Sequence, residues 1–554
     1  MKMKGLQVLM PVITAFVMML AVASTAVALR FGFDPALGEP LLARFYSPID
    51  VWRWGAAWGL EPPYRAMFLQ GIALAFLPVL GAGFGLIRLA IRRGGLGQRP
   101  AHWREAGLGT PAALLRTGRI CTKGDGIVLG RAGGRVLRDH GDAHVMVLGP
   151  TRSGKDTGHV IPTLLLHTGS ALVFDPKGEL GRITARRRAA FGDVVTLRPF
   201  DPDTQAFNPL LEIRGGRHLV GDCQMAAQML VPGGPAAHHD RFWDQAAAKL
   251  LTAMLIHVCA SDRPTLAHLW QLALAFDAGR YPTQSHPQAE EIFAGHAAKD
   301  SRVRSSIIET LTTHLAVLND PALQHATRRS DFQAGDLQAA DRPLTVYLSI
   351  PPAHGERLRP VTRLLLLSLL YPLLHDEEWT TDGRRKRRPL LALFNEFPQL
   401  GYMAFLEHGL AICAGYGIRA MLVAQDEDQI RSTYGSEQSI TANCTTHCVI
   451  PGFSHSALET YRRWAGETTI THGSRQRQPG KLGLPTIGES ETRVPTLDAA
   501  EMLRRSRDEV LVYTVGASPT WLEKVRYYRE RPFIDLLDRP TLPVMSMQEN
   551  ANVR

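Results

Sequence analysis

Cysteine is scarce, with six residues (Cys121, Cys223, Cys259, Cys413, Cys444 and Cys448) in 554. That density excludes a secreted scaffold framed by disulfides. Cys444-Thr-Thr-His447-Cys448 groups three soft ligands, but no second cysteine pair accompanies it and a structural zinc site takes four. Buried free thiols are the expected state. Charge is also sparse, at 21% against 45% hydrophobic residues, which excludes a wholly disordered chain. Acidic residues are the minority sign: 62 Lys and Arg face 52 Asp and Glu, for a net charge of +10. A basic balance admits a nucleic acid or an anionic membrane as partner. Glycine and proline follow no three-residue period, so collagen is excluded, and no internal repeat is present. At about 150 residues per domain the length allows three or four units.

Two long uncharged runs are present, Leu6 to Leu29 and Ala66 to Ile87. Each is longer than the roughly 20 residues that cross a bilayer core. Lys2 and Lys4 precede the first run, and Arg88, Arg92, Arg93 and Arg99 follow the second. This bias predicts a transmembrane hairpin with both ends in the cytoplasm and the loop over 30–65 on the far side of the membrane. Trp52, Trp54, Trp58 and Tyr64 are expected at the outer interface. The competing reading is a signal peptide cut near Ala26-Val-Ala28; the apolar run is long for that, and the second span would still hold the remainder in the cytoplasm.

Residues 100–140 are rich in Gly and Arg and read as a connecting segment. Short apolar runs at Ala143–Leu148, Ser170–Phe174 and Val194–Leu197 then read as strands separated by helices, which implies a parallel sheet. From about Ala236 to Leu337 the spacing turns helical, with Phe242, Trp243, Ala246, Leu250, Met254 and Val258 as one example. Alternation resumes with strands at Leu344–Ile350, Leu390–Phe394 and Ala420–Ala424 and helices at Leu358–Leu374 and Phe405–Ala414. Val449–Ile450 marks one more short strand. His472–Ser490 reads as an exposed loop, and Glu509–Val515 and Glu523–Tyr528 as closing strands.

The strongest chemical signal is Gly149-Pro150-Thr151-Arg152-Ser153-Gly154-Lys155, set between a strand and a helix. Successive backbone N–H groups of such a loop form an anion nest, and the helix N-terminus adds its dipole. Lys155 reaches the terminal phosphates, so ATP with Mg2+ is the expected ligand. The hydroxyl residue that normally follows the lysine is replaced by Asp156, with Thr157 next. One step along a helix turns a side chain by about 100°, so Thr157 does not simply substitute. Asp156 is read as a direct Mg2+ ligand, an outer-shell ligand, or a helix N-terminal residue with no catalytic part.

Leu390-Leu-Ala-Leu-Phe394-Asn395-Glu396 has the shape of a Walker B strand, whose acidic pair organises Mg2+ and activates water. Glu396 can polarise the water. Asn395 stands where the metal-associated Asp is expected and offers a carbonyl oxygen without charge. Asp156 is one candidate for restoring that charge; slow or absent hydrolysis is the rival outcome. Gln425, at the end of the strand Ala420–Ala424, is a candidate γ-phosphate sensor.

These motifs, in this order, resemble the type IV secretion coupling proteins of the TraG type, the membrane ATPases of conjugation. The resemblance runs from the two-span N-terminus through the phosphate loop and V-I-P-T-L-L at 160–165 to F-D-P-K-G-E at 174–179 and N-P-L at 208–210. It continues with Arg241-Phe-Trp243, Ser330-Asp-Phe332, T-V-Y-L-S-I-P-P at 345–352 and N-E-F-P-Q-L-G at 395–401, where Asn395 replaces the family's Asp. Tyr416-Gly-Ile-Arg419, Gln425, Tyr434-Gly435, Asn443 and K-V-R-Y-Y at 524–528 complete it, while Pro451–His455 departs from the family pattern.

The resemblance implies an α/β fold: a P-loop (RecA-like) ATPase domain with a parallel sheet, an inserted all-α domain and an N-terminal two-helix transmembrane anchor. The expected units are an anchor over 1–99, nucleotide-binding segments over 100–235 and 338–538, the all-α insertion over 236–337 and a tail over 539–554. It further implies a homohexamer that recruits a relaxase bound to single-stranded DNA and passes it to a type IV secretion channel. By the same likeness Lys155 binds phosphate, Glu396 activates water and Gln425 senses the γ-phosphate. Coupling of protein effectors and a docking receptor with little hydrolysis are the alternatives. The basic runs Arg384–Arg388, Arg186–Arg188 and Arg328–Arg329 are candidate contacts to DNA phosphates, or solvated turns, or contacts to anionic lipid.

Overall fold

The computed structural model describes residues 20–58, 61–62, 64–73, 107–231, 241–339, 342–374, 388–452, 454–476 and 486–538. It divides into two compact units, Met1–Arg104 and Glu105–Arg554.

In the first unit, residues 20–30 and 64–73 are helical, and a third helix covers Asp50–Ala57. A Cβ at Gly71 would meet the Val27 Cα at 2.7 Å, so glycine lets the two flanking helices touch backbone to backbone. Ala23, Val27, Trp54 and Phe68 share one buried cluster. Trp54, expected at a membrane interface, is buried in that cluster, and its indole N–H donates to the Leu37 carbonyl at 3.1 Å. Among the described residues no helix is long and apolar enough to cross a membrane. The greater part of each expected span lies outside the described residues.

The second unit is built on fourteen described strands. They are β1 (Ile120–Cys121), β2 (Ile127–Ala132), β3 (Arg135–Asp139), β4 (His144–Leu148), β5 (Ser170–Phe174), β6 (Asp193–Leu197) and β7 (Leu344–Leu348). The rest are β8 (Leu390–Phe394), β9 (Ile418–Ala424), β10 (Cys444–Val449), β11 (Glu467–Gln476), β12 (Thr486–Pro495), β13 (Glu509–Thr514) and β14 (Ala517–Glu523). Twelve of them form one sheet in the order β1-β3-β2-β14-β13-β10-β4-β9-β8-β5-β7-β6. From β10 to β6 every pairing is parallel. The strands β4, β5, β7 and β8 are buried along their whole length, as continuous apolar runs must be when helices cover both faces.

Strand alternation sorts the core into two layers. Met146, Leu148, Leu172, Phe174, Leu348 and Phe394 pack with the helices Leu219–Leu230, Arg241–Cys259 and Gly355–Leu370. On the opposite face Val145, Val147, Val173, Tyr347 and Leu393 pack with the helix Ile161–Leu166 and with Leu180 of the helix Glu179–Arg188. Between β6 and β7 the described elements are all helical, including Leu266–Asp277, Pro287–Ala297 and Ser301–Leu315. Thr265 and Asp300 cap two of them by accepting from the N–H groups of His268 and Arg302 at 3.1 and 2.9 Å.

Four expectations are corrected. Residues 100–140 do not form a plain connector: β1, β2 and β3 lie there, with Gly133 and Gly134 at φ 54° and 77° making the tight hairpin turn. The stretch expected as an exposed loop over His472–Ser490 contributes to the antiparallel ribbon of β11 and β12, whose polar alternation conceals a strand from any hydrophobic criterion. The last strand ends at Glu523, before the Lys524–Tyr528 segment. Arg188, counted in a basic run, is fully buried. Its Nε donates to Thr345 Oγ1 at 2.9 Å and its other nitrogens to the carbonyls of His167 and Gly169, so it braces the start of β5 and cannot meet DNA.

Candidate functional site

β4 delivers the chain to Gly149, whose N–H donates to the Ala424 carbonyl at 3.3 Å. A Cβ at Gly149 would meet Ser153 Oγ at 2.7 Å, so the loop closes only over a glycine. Arg152 and Gly154 adopt left-handed φ values of 59° and 84°, which turn neighbouring N–H groups to the concave side of the loop. Holding the non-glycine Arg152 there costs about 1 kcal/mol, a strain concentrated at the loop. Asp156–Val160 forms one wide turn in which the Ile161 N–H reaches the Asp156 carbonyl, and Ile161–Leu166 continues as helix. Thr151 and Arg152 are exposed, Pro150 and Thr157 are half-buried, and Ser153 is buried.

Lys155 is only 6% exposed. Its Nζ donates to the Gly149 carbonyl at 2.7 Å and pairs with Glu396 Oε1 at 3.1 Å. Glu396 directly follows Asn395 at the end of β8 and turns the chain with φ 54° and ψ 46°, in the left-handed region. The Asn395 N–H donates to the Phe174 carbonyl at 3.2 Å, fixing the end of β8 against that of β5. Gln425 follows β9, which lies between β4 and β8, and its N–H donates to Gln429 Oε1 at 3.0 Å. Lys155, Asp156, Asn395, Glu396 and Gln425 thus stand at one end of the sheet, as crossover connections require of ligands in open α/β sheets.

The donor inventory fits a polyphosphate and a divalent cation. Ser153 Oγ, Asp175 Oδ1, Asn395 Oδ1 and Glu396 Oε2 are buried without a hydrogen-bond partner. Each such orphan costs about 1–3 kcal/mol until a ligand satisfies it. Burial, with Glu396 and Asp175 adding repulsion, pushes the Asp156 carboxyl up to about 6, against the pull of Lys155 and Lys177. Cations at the loop and carboxylates beside it are the complement of phosphate and metal respectively.

Two residues near the loop carry no role in the sequence reading. Lys524, just after β14, donates from Nζ to the Ser153 carbonyl at 2.6 Å and also to the Arg507 carbonyl. A Cβ at Gly158 would meet Lys524 Cγ at 2.5 Å, and one at Gly154 its Nζ at 3.0 Å. Both glycines therefore make room for the lysine stem, a signal visible in sequence only as an unexplained Gly158. Asp175 is the other, next to Asn395 across the sheet. The cysteine-histidine group does not converge. The β10 register shifts between Cys444 and Thr446, so Cys444 packs in the layer of the long helices and Cys448 in the opposite one, while His447 lies against Trp464 and its Nε2 meets the Thr441 carbonyl at 3.2 Å. Both thiols are buried and free. Arg384–Arg387 lie outside the described residues; the Arg388 N–H donates to the Gln338 carbonyl at 3.1 Å.

The model of the type IV secretory system conjugative DNA transfer family matches residues 112–550. The chain belongs to that family. It is 28% identical over 590 residues to the conjugal transfer protein TraG of Escherichia coli, covering 95% of this chain and 92% of that protein. A second Escherichia coli conjugal transfer protein TraG is 30% identical over 448 residues, covering 72% and 69%. VirD4 of Agrobacterium fabrum is 28% identical over 414 residues, covering 72% of this chain and 60% of that one. Among solved structures, the unbound conjugative coupling protein TrwBdeltaN70 aligns with a TM-score of 0.57 at 18% identity, covering 75% of this family member and 91% of that chain. TrwB with ADP and Mg2+ aligns with a TM-score of 0.55 at 17% identity, covering 76% and 94%. At that identity the likeness establishes a shared fold, the mostly parallel α/β sheet described above.

Proposed function

We infer that this protein is the coupling ATPase of a conjugative DNA transfer system, working at the bacterial inner membrane. The observation that carries the reading is the phosphate loop closed by Lys155 and facing the half-buried, half-paired Glu396, in a chain of the conjugative transfer family. Relatives named as conjugal transfer proteins, and a fold neighbour solved with a non-hydrolysable ATP analogue and with ADP and Mg2+, support it. The cargo is a relaxase on single-stranded DNA, delivered to a type IV secretion channel. The working form is a homohexamer anchored by two membrane spans at 6–29 and 66–87.

The loop N–H groups and Lys155 bind the β- and γ-phosphates of ATP. Recruitment of Lys155 to phosphate weakens its pair with Glu396 and frees that carboxylate. Glu396 Oε2, already an unpaired acceptor, then orients the attacking water and takes its proton. Asp156 and Asn395 lie where Mg2+ would be held; when bound, it neutralises phosphate charge. Gln425 reads the presence of the γ-phosphate.

A docking receptor with little turnover is the second reading, favoured by the uncharged Asn395. ATP hydrolysis by the full-length protein in detergent, with and without single-stranded DNA, separates the two. A rate that rises with DNA, vanishes in Lys155→Ala and falls at least about 100-fold in Glu396→Gln with binding retained is expected. Tight ATP binding with no turnover in any condition establishes the receptor instead.

A further inference from the structure

β5 and β8 are adjacent and parallel, with Phe174 opposite Phe394. The next residues, Asp175 and Asn395, therefore leave neighbouring strands at the same level of the same sheet end. Phe174 and Phe394 point into the layer shared with the long helices, while Val173 and Leu393 point into the layer of the helix that follows the phosphate loop. Alternation carries Asp175 and Asn395 to that second side. Both are almost wholly enclosed, at 1% and 4% exposure, and each keeps an Oδ1 with no hydrogen-bond partner.

Asp175 is also held rigidly. Its Oδ2 accepts from the Gly181 N–H at 2.9 Å, and the N–H groups of Gly178, Glu179 and Leu180 surround the same carboxylate. Burial pushes the Asp175 carboxyl above its ordinary value, and the N–H groups of that first helical turn pull it back toward the ionised form. One carboxylate oxygen is thus spent on capping the helix Glu179–Arg188, and the other is left over. Capping alone gives no reason for a buried acceptor without a donor. The Asp175 and Glu396 carboxylates both act electrostatically on Asp156.

We propose that Asp175 supplies the negative charge that positions the nucleotide's Mg2+, in place of the carboxylate that Asn395 lacks. The two unpaired Oδ1 atoms act as a pair split across two strands: Asn395 contributes a neutral acceptor and Asp175 the charge. This rests on the nucleotide-site reading above and assigns a residue that reading leaves idle.

The test is binding of Mn2+, followed by electron paramagnetic resonance, to the full-length protein saturated with ADP. ADP affinity in EDTA and melting temperature are measured alongside. Asp175→Asn keeps a capping oxygen and removes the charge; the expected result is Mn2+ affinity lower by about 10-fold or more, with ADP affinity in EDTA and melting temperature unchanged. Asp175→Glu keeps much of the affinity, and Asp175→Asn with Asn395→Asp restores it by moving the charge across to β8. Affinity for Mn2+ within about twofold of the parent overturns the proposal, as does a loss that Asn395→Asp does not recover. Asn395→Asp alone gives an independent answer if Asp175→Asn fails to fold. With the charge already present it changes Mn2+ affinity less than about threefold, and a gain of about tenfold or more overturns the proposal. A parent protein that binds no ADP at all refutes the nucleotide-site reading itself, and with it this assignment.

Discussion

In the parallel half of the sheet, β9, β8 and β5 each stop at a polar residue on the same edge: Gln425, Asn395 with Glu396, and Asp175. From the antiparallel half, β13 to β1, Lys524 reaches that edge. Parallel strands all bring their C-terminal ends to one edge, whereas antiparallel strands alternate. β13 runs against β10 and β14 runs against β13, so β14 regains the direction of β4 and ends beside the phosphate loop. One half presents side chains to the candidate site. The other holds the loop from outside, through a lysine on its backbone carbonyl.

That division predicts graded losses. Lys155→Ala strikes the ligand side directly: turnover falls at least about 100-fold and ADP affinity drops with it, measured by coupled assay and titration calorimetry. Survival of either would mean that the backbone nest alone holds the phosphates. Arg188→Met attacks the support of the parallel half. It leaves the carbonyls of His167 and Gly169 and the Thr345 hydroxyl without their donor, for a loss of about 3 kcal/mol in urea unfolding. DNA affinity is expected to stay unchanged in that variant, since the guanidinium is buried.

Lys524→Met probes the bracing half. Loss of one charged hydrogen bond to the Ser153 carbonyl is worth about 1.5 kcal/mol, so ADP affinity weakens by about tenfold while Lys524→Arg recovers part of it. An unchanged affinity would remove the antiparallel half from the site. The last expected effect is one of pH. The Asp156 carboxyl ordinarily titrates near 3.8 and sits at about 6 here. Between those values the unfolded chain has lost a proton that the folded chain keeps, so stability falls as pH rises from about 4 to about 6 and is flat above. Asp156→Asn removes that slope. Measured without nucleotide or metal, its melting temperature relative to the parent rises by about 2 °C on going from pH 4 to pH 7.

Much of this molecule is legible from residue order alone. The phosphate loop is contiguous, so Gly149 to Lys155 carry their own geometry: glycine where a Cβ would clash, lysine where it folds back on the Gly149 carbonyl. The strands β4, β5 and β8 are equally plain, because a strand buried on both faces reads as an unbroken apolar run. β1 to β3 and the β11–β12 ribbon escape notice because a Gly- and Arg-rich hairpin and a polar ribbon have no such run. The basic triplet at Arg186–Arg188 misleads for a related reason, since composition cannot tell which of three arginines turns inward. Asp175 and Lys524 belong to a third class. Each gains its place from a partner far along the chain, Asn395 for one and Ser153 for the other. Sequence determined the loop, the strand that carries Glu396 and the family, because local spacing fixes local backbone. Only the tertiary structure decided which carboxylate stands beside Asn395 and which lysine braces the loop. Strand order and direction are set by long-range pairing that no local window contains.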